Sequence, residues 1–560
     1  MTINHPLRRR RGAVLMAATV AATGVLLAPA AAFADATGEF ENDGFIYPPA
    51  NGSHLTDSAA SGGAAVAMWG TTSNDIVLAT GDVTTTAFRI RAKQAACGPA
   101  AAQMAVKVNG VAAGTVTVSA TTWTDYTVTG TWTGDWPLVH IDFLNSYEGT
   151  CRQLHLDRIT AVTGTTYYVD PAGSNSNNGT SPSSAWKTVA EVNARTLVPG
   201  DTVLFKRGQT FTGTGLTADT ARITYGAYGD ENGALPVLDA NRGASHVIDV
   251  SAPGVVVQDL QVQKGGAGDQ VGISVTAADV IVRRVIATDN AIGVQADDGA
   301  DRLRVTESVL RDNTMVIQPG GGNDDYGACG VSVLAADGVQ IDHNTFSGNV
   351  GDSDDFGQDG SAVELYGGTN TTVHHNTAVD NHTFSELGND GTNNTHFYDN
   401  VITTTVSGPE DAYGFNVQGT GDFGGVDNTI ITNNTIVMLS LRAGPLSTGL
   451  EPGVVQFHNN VVQAVNAGHN EAAIDEGHNV YYGHNYTGIK SIHSAGGTTA
   501  APSSVEADPK FESSDNLRLR SGSPALNRGI DAYGVTTDWD GDARWIGPGV
   551  DAGAYERQTA

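Results

Sequence analysis

Ile341-Asp-His-Asn344-Thr-Phe-Ser-Gly-Asn349 and Val373-His-His-Asn376-Thr-Ala-Val-Asp-Asn381 are two copies of one phrase. Each sets an asparagine three residues after an apolar anchor and a second asparagine five residues further on. The same five-residue offset holds in Val282-Arg-Arg-Val285…Asn290 and Val305-Thr-Glu-Ser308…Asn313. The anchor alone recurs in Phe397-Tyr-Asp-Asn400, Ile431-Thr-Asn-Asn434 and Phe457-His-Asn-Asn460. Successive anchors lie 23, 36, 32, 24, 34 and 26 residues apart. Periods of this size mark a solenoid. The shortest spacings are one bare coil, and the longer ones are a coil plus an inserted loop. An ordinary β-sandwich would not keep a fixed offset through four units. Asparagines in one column per coil predict hydrogen-bonded ladders along the stack.

The flanks of the repeat read as caps. Residues 165–240 hold a strand running into a turn (Tyr167-Tyr-Val-Asp-Pro171), a short helix over Ser184–Asn193 with a serine N-cap, and a turn then strand (Pro199-Gly-Asp-Thr-Val-Leu-Phe-Lys206). Residues from about 500 to 560 carry Asp508-Pro-Lys-Phe511, Ser523-Pro-Ala-Leu-Asn527 and Asp551-Ala-Gly-Ala-Tyr-Glu556. A solenoid needs cover over its open ends. These phrases resemble the ends of secreted, pectin-lyase-like right-handed parallel β-helix proteins. The expected fold class is therefore all-β: a right-handed parallel β-helix over 165–560, preceded by a small β-sandwich over 37–164.

The sandwich is read from period-two alternation, as in Ala87-Phe-Arg-Ile-Arg-Ala92, Met104-Ala-Val-Lys-Val-Asn-Gly110 and Thr115-Val-Thr-Val-Ser119. Cys97, Val106-Lys-Val-Asn-Gly110, Trp123-Thr-Asp-Tyr126, Ile141-Asp-Phe-Leu-Asn145 and Cys151-Arg-Gln-Leu-His-Leu-Asp157 follow in order. With them, Ile90–Val162 resembles the calcium-dependent, xylan-binding family of carbohydrate-binding modules. The resemblance implies a polysaccharide partner and Ca²⁺ at Asn145 and Asp157. Ser146 after Asn145, Gln153, and the missing aspartate before Arg152 depart from the family pattern and thin its oxygen ligands.

Residues 1–34 read as a secretory signal: a basic run Arg8–Arg11, an apolar stretch, and Ala32-Phe33-Ala34 as cleavage site. The chain is expected to be extracellular, monomeric and without a membrane anchor. A formal charge of −30 argues against nucleic acid and anionic membranes as partners. Of three cysteines, Cys97 and Cys151 are expected to pair in that oxidising setting, leaving Cys329 a buried thiol.

Chemistry is sought about a dozen residues before each anchor. That position reads Ile273 or Ser274, then Gln295, Ser332, Glu364, Glu386 and Asn416 in successive coils. Val363 and Leu365 flank Glu364 and point it outward. Inserts at Thr314–Cys329, Val350–Gln358 and Thr404–Tyr413 enter just before this column and would wall a groove. Two stacked carboxylates in a groove suit glycoside hydrolysis, which needs an acid and a nucleophile or base. Glu364, Glu386 and Asp359 are the catalytic candidates, with Asp355, His374, Tyr366 and Asn416 in support. The expected function is hydrolysis of a plant-type, xylan-like polysaccharide, which needs no cofactor. A second reading is a lyase on a uronic-acid polymer, with Ca²⁺ at Asp354 and Asp355 beside Asp359 and Glu364. A third is a non-catalytic carbohydrate-binding or adhesion protein. From Thr314 to Ile489 there is no lysine and one arginine, Arg442, which counts against a Lys/Arg lyase.

Overall fold

A computed structural model describes residues 37–558 apart from 41–43, 48–50, 71, 79–84, 133–136, 148–150, 267, 269, 323, 419–422, 449–454, 466–468, 471–473 and 484–500. The proposed signal over 1–34 lies outside the described residues. Two all-β units follow one another.

The first unit is a sandwich of a six-stranded and a five-stranded antiparallel sheet, running from Thr37–Glu39 to Gln153–Thr163. The alternation read from sequence is the observed one: Phe88, Ile90 and Ala92 face one shared core with Met104, Val106 and Val108. Cys97 and Cys151 form the expected disulfide, and Cys329 is free and buried.

The second unit is a right-handed parallel β-helix. Among the described residues its three parallel sheets have 12, 12 and 10 strands. Every anchor spacing read above is a strand pairing. Val282 lies beside Val305, Val305 beside Ile341, Ile341 beside Val373, and Val373 beside Phe397. Phe397 then lies beside Ile431, and Ile431 beside Phe457. These anchors are fully buried and stack into one continuous column. Phe384, Phe397 and Phe415 add an aromatic cluster with centroids 5.1 to 6.3 Å apart. Each such ring contributes about 2 kcal/mol on burial.

The corners explain the phrase. The residue just before each first asparagine has a left-handed backbone: His343, His375, Asp399, Asn433, Asn459 and His478. The chain turns there from the first sheet into the second. The asparagine that follows points inward and bonds to the next coil. Asn344, Asn376, Asn400, Asn434, Asn460 and Asn479 form an unbroken ladder, each amide donating to the next side-chain oxygen. Asn290, Asn313, Asn349 and Asn381 form a second ladder at the following corner.

The caps differ from their reading. Thr166–Val169 and Thr202–Lys206 pair as the first strands of sheet one, and between them Trp186, Val189 and Val192 pack onto the solenoid core. The helix covers only Val189–Asn193, and its N-cap is Thr188 rather than serine. The described C-terminal residues pack beside sheet two. They fold back along the flank, where Leu517, Leu519, Ala525, Ala552 and Tyr555 cover Val401, Val437, Val461 and Val480 of sheet two. The left-handed corner residues hold them. His375 Nε2 lies 2.9 Å from Asp538 O, Asn459 Nδ2 donates to Ile530 O (2.9 Å), and His478 Nδ1 lies 2.9 Å from Arg528 O. Asp399, fully buried, pairs with buried Arg544.

Candidate active site

The polar column is read in its true register. Ser274 lies beside Gln295, Gln295 beside Ser332, and Ser332 beside Glu364. Glu364, on strand Ser361–Leu365, lies directly beside Glu386 on strand Thr383–Leu387, and Glu386 beside Asn416. The longer turn after Glu386 is absorbed beyond the strand and leaves the pairing intact. Val363 and Leu365 are fully buried, so strand alternation turns Glu364 out of the core.

The column floors a groove of about 710 Å³. One wall is built by the inserts. Val316–Ile317 pairs with Tyr326–Gly327, and Gly351–Ser353 pairs with Gly357–Asp359, giving two short ribbons. They bring Asp325, Tyr326, Phe356 and Asp359 to the groove, and the third insert brings Asp411 and Tyr413. The facing wall carries Tyr366, Gln418 and Phe423, with Tyr366 and Phe423 edge to face. Among the described lining residues there is no lysine or arginine.

The two glutamates sit in different settings. Burial pushes Glu364 up to about 8; its one side-chain partner is the Cys329 thiol, Sγ 2.7 Å from Oε2. Burial, then the charge of Asp359, pushes Glu386 up to about 7. Against that, Glu386 accepts hydrogen bonds from Tyr366, Gln418 and Asn416, the last at 3.1 Å. Donors to a carboxylate favour its ionised form. Burial also raises Asp359, to about 6. The Tyr366 hydroxyl is driven far above its ordinary range by burial and by both glutamates, so it stays a donor.

Three expected residues lie elsewhere. His374 is on sheet one, stacked on Tyr398 at 4.6 Å and next to His375, away from the groove. His382 is the histidine that lines the groove. Asp355 is on the rim, where its carboxylate accepts from the backbone N–H of Asp324 (2.9 Å) and Asp325 (3.3 Å). Asp324, Asp325 and Asp355 place ligand atoms within 4.8 Å of one another, whereas Asp354 is outside that group. Sequence reasoning passed over Phe356, Tyr413 and Gln418, and did not connect Cys329 to Glu364. A signal for the aromatics was present, since each insert follows its acidic pair with a ring: Asp325-Tyr326, Asp355-Phe356, Asp411-Ala-Tyr413.

Residues 87–177 match the family model described as a Ca-dependent, xylan-binding carbohydrate-binding module, CBM60. The calcium donors expected in the sandwich, Asn145 and Asp157, each have protein partners. Asn145 accepts from Gln103 N–H (2.7 Å) and donates to Ala101 O (2.7 Å) beside the five-stranded sheet. Asp157 is fully buried in the six-stranded sheet, paired with Arg91 at 2.9 Å and accepting from Ser61 N–H. Lacto-N-biosidase from Bifidobacterium longum subsp. longum is 43% identical over 91 residues, 15% of this chain and 6% of that protein. The chain thus spans a small part of the curated relative it matches. Among solved structures, pectate lyase Pel9A aligns over 71% of this chain and 97% of its own, at 17% identity and TM-score 0.47. A GH136 lacto-N-biosidase from Eubacterium ramulus aligns over 61% and 68%, at 14% identity and TM-score 0.40. The catalytic unit of a GH87 α-1,3-glucanase from Streptomyces thermodiastaticus aligns over 84% and 96%, at 15% identity and TM-score 0.38. The chain thus joins a module matched to a carbohydrate-binding family to a parallel β-helix.

Proposed function

We propose that this chain is a secreted, monomeric glycoside hydrolase that cleaves a neutral, plant-type polysaccharide of the xylan kind. The observation that carries the reading is the direct stacking of Glu364 on Glu386 in a groove whose described lining holds no lysine or arginine. Neighbouring strands lie about 4.8 Å apart. Retaining glycosidases hold their carboxyls about 5–5.5 Å apart.

The surroundings support a division of roles. Glu364, half-buried beside a single weak donor, keeps its proton at neutral pH and is the general acid. Glu386, oriented by Tyr366, Gln418 and Asn416, is the nucleophile. Glu364 protonates the glycosidic oxygen while Glu386 attacks the anomeric carbon, forming a glycosyl ester and releasing the alcohol. Glu364, now ionised, takes a proton from water, which hydrolyses the ester and restores both groups. The aromatic side chains of the two walls offer flat faces for sugar rings, and the sandwich would hold the chain to the polymer.

Soluble xylan is the first substrate to test. New reducing ends without unsaturated ultraviolet absorbance support the hydrolase, and retention of activity by both Glu364→Gln and Glu386→Gln would sink the site. One observation favours a second reading: three carboxylates at the rim could hold Ca²⁺ for a uronan lyase. Unsaturated product that disappears with chelator, and with Asp324→Asn, would decide for it. Binding of xylan without any product would leave a carbohydrate-binding protein.

A further inference from the structure

Cys329 opens strand Cys329–Val333, next to the strand of Glu364, at the foot of the first insert. It is buried among Val271, Ala291, Ile292, Met315, Ile317 and Tyr326, and it has no disulfide partner. The side chains around it are largely apolar. Yet the thiol faces two oxygens, Glu364 Oε2 at 2.7 Å and Gly327 O at 3.0 Å. It is the one side-chain donor that reaches Glu364 among the described residues.

The contrast with Glu386 gives that contact meaning. Glu386 has an amide, a hydroxyl and a second amide as donors. Glu364 has a thiol, which is a weak donor. A strong donor in that place would stabilise the carboxylate and strip the acid of its proton. No donor would leave the carboxyl free to rotate. Burial and the acids around it hold the thiol in its S–H form, so it is no nucleophile.

We propose, building on the assignment of Glu364 as the acid, that Cys329 is its positioning residue: the thiol fixes the carboxyl while leaving it protonated. Serine in its place is a stronger donor, and alanine is none. The two substitutions therefore push Glu364 in opposite directions, which a mere loss of packing cannot do.

The first test uses the intact protein and needs no substrate. With Cys97 and Cys151 paired, the chain has one free thiol, whose S–H stretch is a single infrared band. The band is expected to move to lower frequency as pH rises through the titration of Glu364, and the movement is expected to vanish in Glu364→Gln. A band indifferent to both overturns the inference, with no folding risk from Cys329 itself. The second test is the pH profile of kcat/KM on soluble xylan. Cys329→Ala is expected to move the alkaline limb up, and Cys329→Ser down, each by about half to one pH unit. Shifts of the same sign, or none, also overturn it. A pH-sensitive band in a protein that releases nothing from xylan would retain the thiol contact and reject the proposed substrate.

Discussion

Two stacks run along this solenoid with one residue per coil, and they behave oppositely. The asparagine ladder is buried and self-satisfying: Asn376 accepts from Asn344 N–H and Nδ2, and donates to Ile341 O and to Asn400 Oδ1. An amide carries both donor and acceptor, so such a ladder can continue indefinitely. The carboxylate column cannot. Two stacked acids have acceptors only, and one must keep a proton or both must find outside donors. The ladder therefore spends its repeat on stability. The column, at the same spacing, lines a groove with half-buried acids.

The sharpest break between them is functional. Glu386→Gln is expected to lower kcat on a cleaved polysaccharide by about 10³-fold or more. Its unfolding free energy in denaturant should stay within about 1 kcal/mol of wild type, because amides stack where acids repel. If the variant unfolds instead, the column is structural and the comparison fails.

Asn376→Ala should do the converse. It strands the Asn344 N–H groups and the Ile341 carbonyl inside the core, at a cost of about 3 kcal/mol in chemical denaturation. The folded fraction should keep its kcat. Unchanged stability would mean that the ladder is a by-product of the fold.

A pH series sharpens the comparison further. Burial holds Glu364 near 8, against an ordinary value of 4.5. Between those values the folded chain keeps a proton that the unfolded chain has released. Its share of stability is present at low pH and is lost as pH rises through that window. Thermal unfolding of wild type and Glu364→Gln should diverge as pH climbs from about 5 to 8, with the variant gaining. Asn376→Ala should run parallel to wild type throughout, and a pH-dependent gap there would contradict the assignment.

The smallest expected effect is that of Tyr366→Phe, which removes one donor from Glu386 and keeps the ring. A loss of up to about tenfold in kcat/KM is expected, with the acid limb moved to higher pH. No shift at all would remove Tyr366 from the support of Glu386.

The sequence by itself determined the coil. Anchor, left-handed corner residue and asparagine are local, and they recur at a fixed offset, so the register of the coils follows from counting; Glu364 and Glu386 lie 9 and 11 residues before their anchors, and strand pairing sets one beside the other. Only the tertiary structure decided what surrounds that pair. Cys329 lies 35 positions before Glu364, and the pairing of their two strands brings its thiol to the carboxyl. Phe356 and Tyr413 reach the groove from inserts of unequal length, which no period describes. His374 carries the right chemistry in the wrong sheet, because one step around the corner changes the face. The C-terminal stretch, read as an end cap, lies along the flank because the corner side chains of successive coils offer it a row of partners. Periodicity fixes what repeats, whereas a site is built where the repeat is interrupted, and those contacts exist only once the chain has folded.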